Sequence, residues 1–396
     1  MAQSISQEAI GATGLPGATA ASRHAGATTS GAPTTGTFAV GDYVVDQTGA
    51  MYVCTVAGTP GTWQLSGVSV NENIAGKNGF INGSFDFWQR GTNISVGYTY
   101  TADRWFAYRS GANSGATVSQ QTTGLTGFQY CARMQRNSGD TNSTFFQRIQ
   151  QTFETKNSIL YAGKTVTVSF YIRVGSNFSG TGVTYNLYNG TGTDESGIDG
   201  FATGNNVVGS LALNTLTTSW QKFSFTGIIP TNATQIGNYF AYTGTNSATA
   251  GANDYFDITG VQLEIAPQAT PFSRAGGSIG GELALCQRYY YSETGSAGYN
   301  TLLGVGSVYN SSVCVFQLKW PVTMRTNPTM TATSGSGYFL VATASLGFVS
   351  FSTVSSFTSP NVVGTIISMS LPGSYTAGQS GLLYSNNGTI MANAEL

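Results

Sequence analysis

The chain has 396 residues, a length that suggests two to four domains. Only 8% of the residues are charged, against about 25% in a typical soluble protein. The formal net charge is -1, which argues against nucleic acid as a partner, because neutralising phosphates requires a basic face. The hydrophobic fraction of 40%, with 21 Tyr, 22 Phe and 5 Trp, is sufficient to build packed cores.

Residues 1–36 are rich in Ala, Gly, Thr and Ser, and they contain no basic segment followed by an apolar run. We therefore expect no secretory signal, and no apolar stretch of the sequence is long enough to span a bilayer. Two interpretations of this segment stay open. It is either a flexible tail or a segment that becomes ordered on docking to a larger assembly, where small residues allow close packing.

Residues 37–67 have the pattern of a small β module. Two short alternating strands flank a turn at Thr48-Gly49, which predicts a hairpin over which Trp63 can fold back. The order Gly-Asp-Tyr-Val, Gly-x-x-Tyr-x-Cys and Pro-Gly-x-Trp resembles the small chitin-binding type of carbohydrate module. The resemblance implies that Tyr43, Tyr52 and Trp63 form a stacking platform for a sugar ring. The alternative is that they build the core of a small structural spacer.

Residues 80–275 have the pattern of one large β domain. Its opening strand is predicted at Asn82–Gly91 and its closing strand at Tyr255–Glu264, where Gly260 adds one residue and predicts a β-bulge. Thr165–Val174 alternates most cleanly, with apolar side chains on one face and mostly polar side chains on the other. Many short strands without convincing helices predict an antiparallel sandwich or jelly roll.

Several short motifs in this domain carry a family resemblance. The patterns Asn-Gly-x-Phe-x-x-Trp and Tyr-Phe-Asp-x-x-x-Val-Gln-Leu-Glu are similar to those of jelly-roll carbohydrate-binding modules. The fuller set, over about residues 80–291, resembles the tail-fibre and other appendage proteins of tailed bacteriophages. It adds Tyr100-Thr101-Ala102-Asp103-Arg104-Trp105, Leu160-Tyr161-Ala162-Gly163-Lys164-Thr165-Val166, Ala269-Thr270-Pro271-Phe272 and Cys286-Gln287-Arg288-Tyr289-Tyr290.

The resemblance implies a sugar site in the large domain. Such a site needs aromatic faces for stacking and nearby amides or carboxylates for the hydroxyl groups. The candidates lie in or near polar segments rich in Gly and Asn: Tyr185, Tyr188, Tyr239 and Tyr242. The tryptophans expected in the core instead are Trp88, Trp105 and Trp220. Jelly-roll carbohydrate modules often hold a structural calcium ion between the first and last strands. The resemblance therefore makes Asp257 a candidate calcium ligand, with Asn82 or Asp254 nearby.

The run Ile279–Tyr291 is the most convincing helix in the sequence. It follows a hinge at Ala275-Gly276-Gly277-Ser278, and its apolar residues recur at spacings of four, three and four. These residues are Ile279, Leu283, Cys286 and Tyr290. The helix either packs on its own domain or forms a short stub along a threefold axis.

Residues 292–396 again have strand patterns and predict a second, smaller sandwich. One strand places Cys314, Phe316, Leu318 and Trp320 on a common face, and another does so with Ile367, Met369 and Leu371. Exposed loops at 373–380 and 386–388 suit a receptor-contacting tip, although such loops are also normal in any sandwich.

Outside its N-terminal tail, the sequence contains no histidine that could serve in catalysis. The only histidine, His24, lies in that tail, which removes Ser-His-Asp and Cys-His catalysis and a His-based metal site. A glycosidase needs only two carboxylates. The densest acidic cluster, Asp194, Glu195 and Asp199, lies in a Gly/Thr/Ser-rich loop, so we expect it to be solvated. We expect Cys54, Cys131, Cys286 and Cys314 to be buried free thiols, with disulfides as the alternative.

The sequence thus predicts an all-β, multi-domain chain with a small N-terminal β-hairpin module, a central antiparallel jelly roll, a short helix and a C-terminal β-sandwich. The predicted segments are 1–36, 37–67, 68–79 as a linker, 80–275, 276–291 and 292–396. The resemblance implies a non-enzymatic appendage on the virion surface, a homotrimer that docks to a tail or capsid protein through residues 1–36. It would bind host-surface glycans, with no nucleic acid and no membrane insertion. The alternatives are a head fibre or capsid decoration protein, and a polysaccharide depolymerase with paired carboxylates.

Overall fold

A computed structural model of the chain describes most of its residues. The described residues are 23–47, 49–66, 75–110, 115–140, 142–198, 200–244, 251, 253–295, 301–335, 337–343, 347–351, 354–373 and 375–396. The chain divides into two compact units, Met1–Asn71 and Glu72–Leu396. As predicted, the described secondary structure is almost entirely β. Within the described ranges, no helix is long and apolar enough to cross a membrane.

The first unit contains one four-stranded sheet. Its strands, in spatial order, are β1 (His24–Thr28), β2 (Tyr43–Asp46), β3 (Met51–Val56) and β4 (Thr62–Leu65). β1 runs parallel to β2, and the other neighbours are antiparallel. The predicted hairpin is therefore confirmed as β2 and β3, although Thr48 of its turn lies outside the described residues. Of the predicted attachment segment, residues 1–22 also lie outside them, whereas His24–Thr28 forms a strand.

The second unit begins with a sandwich of two antiparallel six-stranded sheets. Sheet I has the order β13 (Asn206–Leu213), β12 (Val183–Gly190), β15 (Gln235–Thr243), β10 (Phe146–Thr152), β7 (Phe106–Arg109) and β6 (Tyr98–Tyr100). Sheet II has the order β14 (Gln221–Ile228), β11 (Thr165–Val174), β16 (Tyr255–Glu264), β9 (Tyr130–Arg136), β8 (Ala116–Thr122) and β5 (Asn93–Ser95). The core between the sheets includes Trp105, Phe170, Phe240 and Phe256. Apolar side chains at alternate positions of β11 enter this core, as predicted.

The predicted closing strand and its bulge are both confirmed. Strand β16 spans Tyr255–Glu264, and Gly260 has a φ of 62°. In the pairing with β11, Ser169 lies opposite Gln262 and Tyr171 lies opposite Thr259. Between these two pairs, β16 advances by three residues and β11 by only two. The additional residue of β16 forms the β-bulge.

The predicted opening strand at Asn82–Gly91 is wrong, because this segment is a compact turn. Asn82 and Phe85 have φ values of 58° and 55°, and two left-handed non-glycine residues so close together do not fit an extended strand. The Asn82 side-chain amide donates to the Phe87 carbonyl at 2.8 Å, and its oxygen accepts from the Phe87 N–H at 3.1 Å. The turn buries Phe85 and Trp88 in the core. The aromatic residues are thus internal, as predicted, but the backbone is not extended.

Two short helices accompany the sheets within the described ranges. Helix α1 (Thr155–Ser158) continues into a 3-10 turn at Ile159–Tyr161 and was not predicted. Helix α2 (Ile279–Gln287) confirms the predicted helix but is shorter, because strand β17 begins at Tyr290. Ser278 caps α2 by accepting a hydrogen bond from the Gly281 N–H. The face of α2 that carries Glu282 and Cys286 is buried in its own chain, whereas Ile279 is exposed.

The second unit ends in a smaller sandwich. One sheet has the order β17 (Tyr290–Thr294), β26 (Thr389–Asn393) and β20 (Thr329–Ala332). The other has the order β22 (Gly347–Phe351), β21 (Phe339–Thr343), β25 (Ser380–Ser385), β18 (Thr301–Asn310), β19 (Val313–Lys319), β24 (Gly364–Ser370) and β23 (Ser356–Asn361). The two predicted strand faces are confirmed, because all seven of their apolar side chains lie in the core of this sandwich.

Candidate functional site

Two rows of side chains cross the outer face of sheet I. The register places Tyr98, Tyr108, Arg148, Ala241 and Thr184 opposite one another on five adjacent strands. The neighbouring row contains Tyr100, Phe106, Gln150, Tyr239 and Asn186. Both rows point away from the core, because the intervening residues Ile149 and Phe240 lie inside it. The outer face of sheet I therefore carries aromatic, hydroxyl and amide groups together.

The aromatic residues on this face contact one another and one guanidinium. We call Tyr98, Tyr108, Phe146 and Tyr239 the aromatic row. The Tyr98 and Tyr108 rings are 5.4 Å apart, and the Tyr108 and Phe146 rings are 5.5 Å apart, each pair edge to face. The Arg148 guanidinium lies 5.0 Å from the Tyr239 ring and 5.4 Å from the Tyr108 ring. Tyr98 is 59% exposed, and the rings of Tyr108, Phe146 and Tyr239 are half-buried.

A cavity of about 350 Å³ opens at one end of the aromatic row. Its lining combines aromatic rings with hydroxyl groups: Phe146, Arg148, Thr181, Gly182, Thr184, Tyr239, Ala241, Tyr242 and Thr243. Small-molecule pockets typically measure about 300–1,000 Å³ and combine apolar walls with a few polar groups. The cavity therefore has the size and chemistry to hold one or two sugar rings.

The loop that contains Gly197 and Ile198 closes the other side of this face. Arg148 donates to the Ile198 carbonyl, and the Gln150 amide donates to the Gly197 carbonyl at 2.9 Å. The Tyr188 hydroxyl donates to the same Gly197 carbonyl at 2.9 Å. These hydrogen bonds orient Arg148 beside the cavity and bury Tyr188 beneath the loop.

The structure separates the four tyrosines that were predicted to bind sugar in this domain. Tyr239 and Tyr242 both line the cavity, but only Tyr239 presents a half-exposed ring. Tyr185 is fully buried against Phe170, and burial raises its pKa well above its ordinary value. Tyr188 is also buried, so neither ring offers a free face for stacking.

The sequence prediction missed most of the aromatic row. Tyr98, Tyr108 and Phe146 were not among the candidates, and neither was Arg148. A signal was present, because Tyr98-x-Tyr100 and Phe106-x-Tyr108 place aromatic residues on one face of two short strands. Their outward direction depends on which face of sheet I meets the core.

The three aromatic candidates of the first unit do not form a single platform. Tyr43 pairs with Val53, whereas Val44 pairs with Tyr52 and Cys54 pairs with Trp63. Since side chains alternate along strands, Tyr52 and Trp63 share one face of the sheet and Tyr43 lies on the other. The predicted three-residue platform is therefore corrected to two separate faces.

The two faces of this small sheet hold their aromatic residues differently. The Trp63 ring packs edge-on against Phe38 at 4.8 Å, and its indole N–H donates to the Pro60 carbonyl at 2.8 Å. On the opposite face, the Tyr43 ring lies 5.3 Å from the ring of His24. All three candidate rings, those of Tyr43, Tyr52 and Trp63, are half-buried.

The carboxylate of Asp257 is occupied by two arginines, which corrects the prediction of a calcium ligand. Its oxygens accept from Arg133 Nε at 2.7 Å and from Arg173 Nε at 2.9 Å, and the carboxylate is fully buried. The neighbouring Asp254 accepts from Arg136 at 3.0 Å and from the Ser179 hydroxyl at 2.7 Å. Within the described part of the chain, no group of three or more His, Cys, Asp or Glu side chains could hold a metal ion.

The tryptophans of this domain occupy different environments. Trp88 and Trp105 are buried in the core, as predicted. Trp220 is only half-buried, which corrects its assignment to the core. Its indole N–H donates to the Thr123 carbonyl at 3.0 Å, and the Arg173 guanidinium lies 4.6 Å from its ring. Trp220 therefore belongs to the outer face of sheet II.

The predicted acidic cluster is held by local hydrogen bonds. Asp194 accepts from the Thr155 N–H at 2.7 Å and lies 3.4 Å from Arg325. A hydrogen bond from Thr203 lowers the pKa of Glu195, whereas Asp199 lies outside the described residues. Among described residues, no carboxylate lines any of four cavities, of which the largest measures about 680 Å³.

The four cysteines are buried free thiols, as predicted. Burial raises the pKa of Cys131 to about 12 and that of Cys314 to about 11. Both thiols therefore stay protonated at neutral pH, and a thiol in that state is a poor nucleophile.

No family model matches the chain, and no curated protein matches it. Solved structures resemble parts of it. The chain is similar to one described as CBM4, at 21% identity, over 47% of this chain and 98% of that one, with a TM-score of 0.30. It is similar to the CBM22-1 xylan-binding domain of Xyn10C from Paenibacillus barcinonensis, at 12% identity over 45% and 94%, with a TM-score of 0.29.

A third solved structure is the enzymatically active domain of tailspike protein 4 from bacteriophage CBA120. The identity is 12%, over 48% of this chain and 22% of that one, with a TM-score of 0.31. All three TM-scores lie near 0.3, which is too low to support an inference about function.

Proposed function

We propose that this protein is a non-catalytic appendage on the surface of a tailed-bacteriophage virion and binds glycans of the host cell. Glycan binding is supported by the aromatic row, which lies beside the hydroxyl-lined cavity of sheet I. The apolar face of a sugar ring stacks on an aromatic ring, while threonine hydroxyls and amides bond its hydroxyl groups. The virion part is supported by the motifs within residues 80–291 that resemble phage appendage proteins.

The proposal assigns distinct roles to the parts of the chain. Residues 1–36 would dock to a tail or capsid protein, and the chain would assemble as a homotrimer. Each sugar site would bind weakly, and several copies on one particle would convert weak binding into avidity. Tyr52 and Trp63 of the first unit would offer a smaller second site on their shared sheet face. The absence of carboxylates among the described lining residues supports binding without catalysis.

The test is binding of the full chain to host cells and to a glycan array. Tyr239→Ala and Tyr108→Ala each remove one ring of the aromatic row. Loss of one aromatic contact, about 0.5–1.5 kcal/mol, should weaken binding about 2- to 10-fold at a single site and more on a multivalent surface. Tyr130→Ala is the matched control, because Tyr130 is also half-buried but lies in sheet II.

Each outcome of this test separates the proposal from its alternatives. Binding that is lost in Trp63→Ala but not in Tyr239→Ala would move the site to the first unit. No binding by correctly folded protein would favour a head fibre or capsid decoration protein. Release of reducing sugar from host polysaccharide, abolished by one carboxylate substitution, would establish a depolymerase instead.

A further inference from the structure

The seven-stranded sheet of the C-terminal sandwich has apolar side chains on both of its faces. One face carries Phe316, Phe339 and Leu383, which lie in the core. The register places a second apolar set on the opposite, outer face: Leu302, Val305, Leu340, Phe348, Ile366, Leu382 and Tyr384. We call this set the apolar face. Sheets with one face in water normally alternate apolar and polar residues, whereas apolar residues on both faces are typical of buried sheets.

The apolar face is open to solvent in the single chain. Val305 is 63% exposed, Phe348 is 56% exposed and Leu302 is 50% exposed. The Phe348 and Tyr384 rings are 5.3 Å apart, so neighbouring strands present a preformed aromatic pair. Val207 and Ile228, two exposed apolar residues of the larger sandwich, lie on different sheets. The exposed Gln317 of β19 lies opposite Ile366, so the contiguous part of the apolar face is the part on β22, β21, β25 and β18. An exposed apolar patch of this kind marks an interaction surface.

Charge on this face is almost absent. Residues 292–396 contain only four charged side chains, Glu293, Lys319, Arg325 and Glu395. Arg325 donates to the carbonyls of residues 394 and 395, and Glu395 pairs with Arg104 of the larger sandwich. Glu293 lies in the three-stranded sheet. Only Lys319, at the end of β19, is left for the seven-stranded sheet, so a charged partner would find almost no complementary group here.

We infer that the apolar face is the surface through which copies of this chain associate. Its four most exposed side chains, Leu302, Val305, Phe348 and Ile366, offer on the order of 400 Å², about half of the roughly 800 Å² that each partner buries in a standard interface. The surface that best matches an uncharged, apolar sheet is another of the same kind, and each copy supplies one. This inference rests on the self-association proposed above and names its surface, but it does not depend on glycan binding.

The test is the oligomeric state of the full chain, measured by light scattering coupled to size exclusion and by native mass spectrometry. Wild-type protein should have the mass of two or more 41.4 kDa chains. Val305→Lys places a charge in the centre of the apolar face without disturbing the core, and it should weaken association at least tenfold. Val207→Lys is the matched control, because Val207 is 65% exposed on β13.

Three results would overturn the inference. The first is a monomeric wild-type protein at concentrations of tens of micromolar. The second is a folded Val305→Lys variant that keeps the wild-type mass, which would place the contact elsewhere in the chain. The third is equal dissociation by the Val207→Lys control. Circular dichroism checks folding, and Leu302→Ser, a milder change on the same face, replaces Val305→Lys if that variant does not fold.

Discussion

Asp257 lies within a ladder of alternating rings and charges on the outer face of sheet II. The Arg133 guanidinium stacks 3.4 Å from the Tyr255 ring on one side, and Arg173 lies beside Trp220 on the other. Both arginines are the cross-strand partners of Asp257 in the sheet. In sequence they lie 124 and 84 residues away, so no local pattern could reveal them. The expectation of a calcium ligand came from the resemblance to jelly-roll carbohydrate modules, which carried no information about these arginines.

Substituting Asp257 should destabilise the protein, because its carboxylate pairs with two arginines. Asp257→Asn removes the charge shared by two partly buried guanidinium groups, and breaking such a pair should cost about 2–4 kcal/mol in the free energy of unfolding. Urea denaturation of the variant and of wild type measures the difference. Asp194→Asn is the control, because its side chain is 38% exposed and its change should stay within about 0.5 kcal/mol.

A chelator provides the complementary measurement on the wild-type protein. Since the Asp257 oxygens accept hydrogen bonds from Arg133 and Arg173, excess EDTA should leave the thermal midpoint unchanged. A midpoint that falls in EDTA and recovers with calcium would contradict the arginine assignment and restore the calcium site.

Regular strands were predictable from the sequence, whereas the turn at Asn82–Gly91 was not. Thr165–Val174 and Tyr255–Glu264 follow a period of two because one side of each faces the core. The turn also mixes aromatic and polar residues, but its backbone is fixed by distant contacts. Gly83 accepts a hydrogen bond from the Val261 N–H at 2.9 Å, and a Cβ at Gly83 would lie 2.1 Å from the Val261 carbonyl oxygen. Position 83 therefore requires glycine, because the backbone of the turn lies very close to the backbone of β16 there.

Gly83→Ala should therefore destabilise the larger sandwich. The added methyl group would force the turn away from β16 and should cost about 2 kcal/mol or more in the free energy of unfolding. Gly280→Ala is the matched control in α2, where a Cβ would meet no atom within 4 Å. It should be neutral or stabilise by up to about 1 kcal/mol. Equal unfolding midpoints for the two variants would show that the close approach at Gly83 carries no energetic weight.

The candidate site shows the same limit of sequence reasoning. Tyr239 was predicted from its polar surroundings, and it does lie on the open face of sheet I. Tyr185 has similar surroundings in the sequence, yet it points into the core because it pairs with Phe240. A shift of one residue in register exchanges these two environments, and local composition does not specify register.

The two sandwiches of the second unit are joined by buried charge. Arg104 is 2% exposed and pairs with Glu395, and its guanidinium stacks 3.6 Å from the Tyr289 ring. Arg90 also lies 3.3 Å from Glu395. Arg104 belongs to the larger sandwich and Glu395 follows the last strand of the smaller one. The cost of leaving Arg104 unpaired therefore couples the folding of the two sandwiches.

Glu395→Ala should weaken this coupling. With its partner removed, Arg104 stays buried with an uncompensated charge, at a cost of about 3–5 kcal/mol. We expect the smaller sandwich to unfold in a separate, earlier calorimetric transition, whereas wild type unfolds in one. Lys319→Ala is the control, since Lys319 is an exposed side chain at the end of β19. A single transition with an unchanged midpoint in Glu395→Ala would show that apolar packing alone joins the two sandwiches.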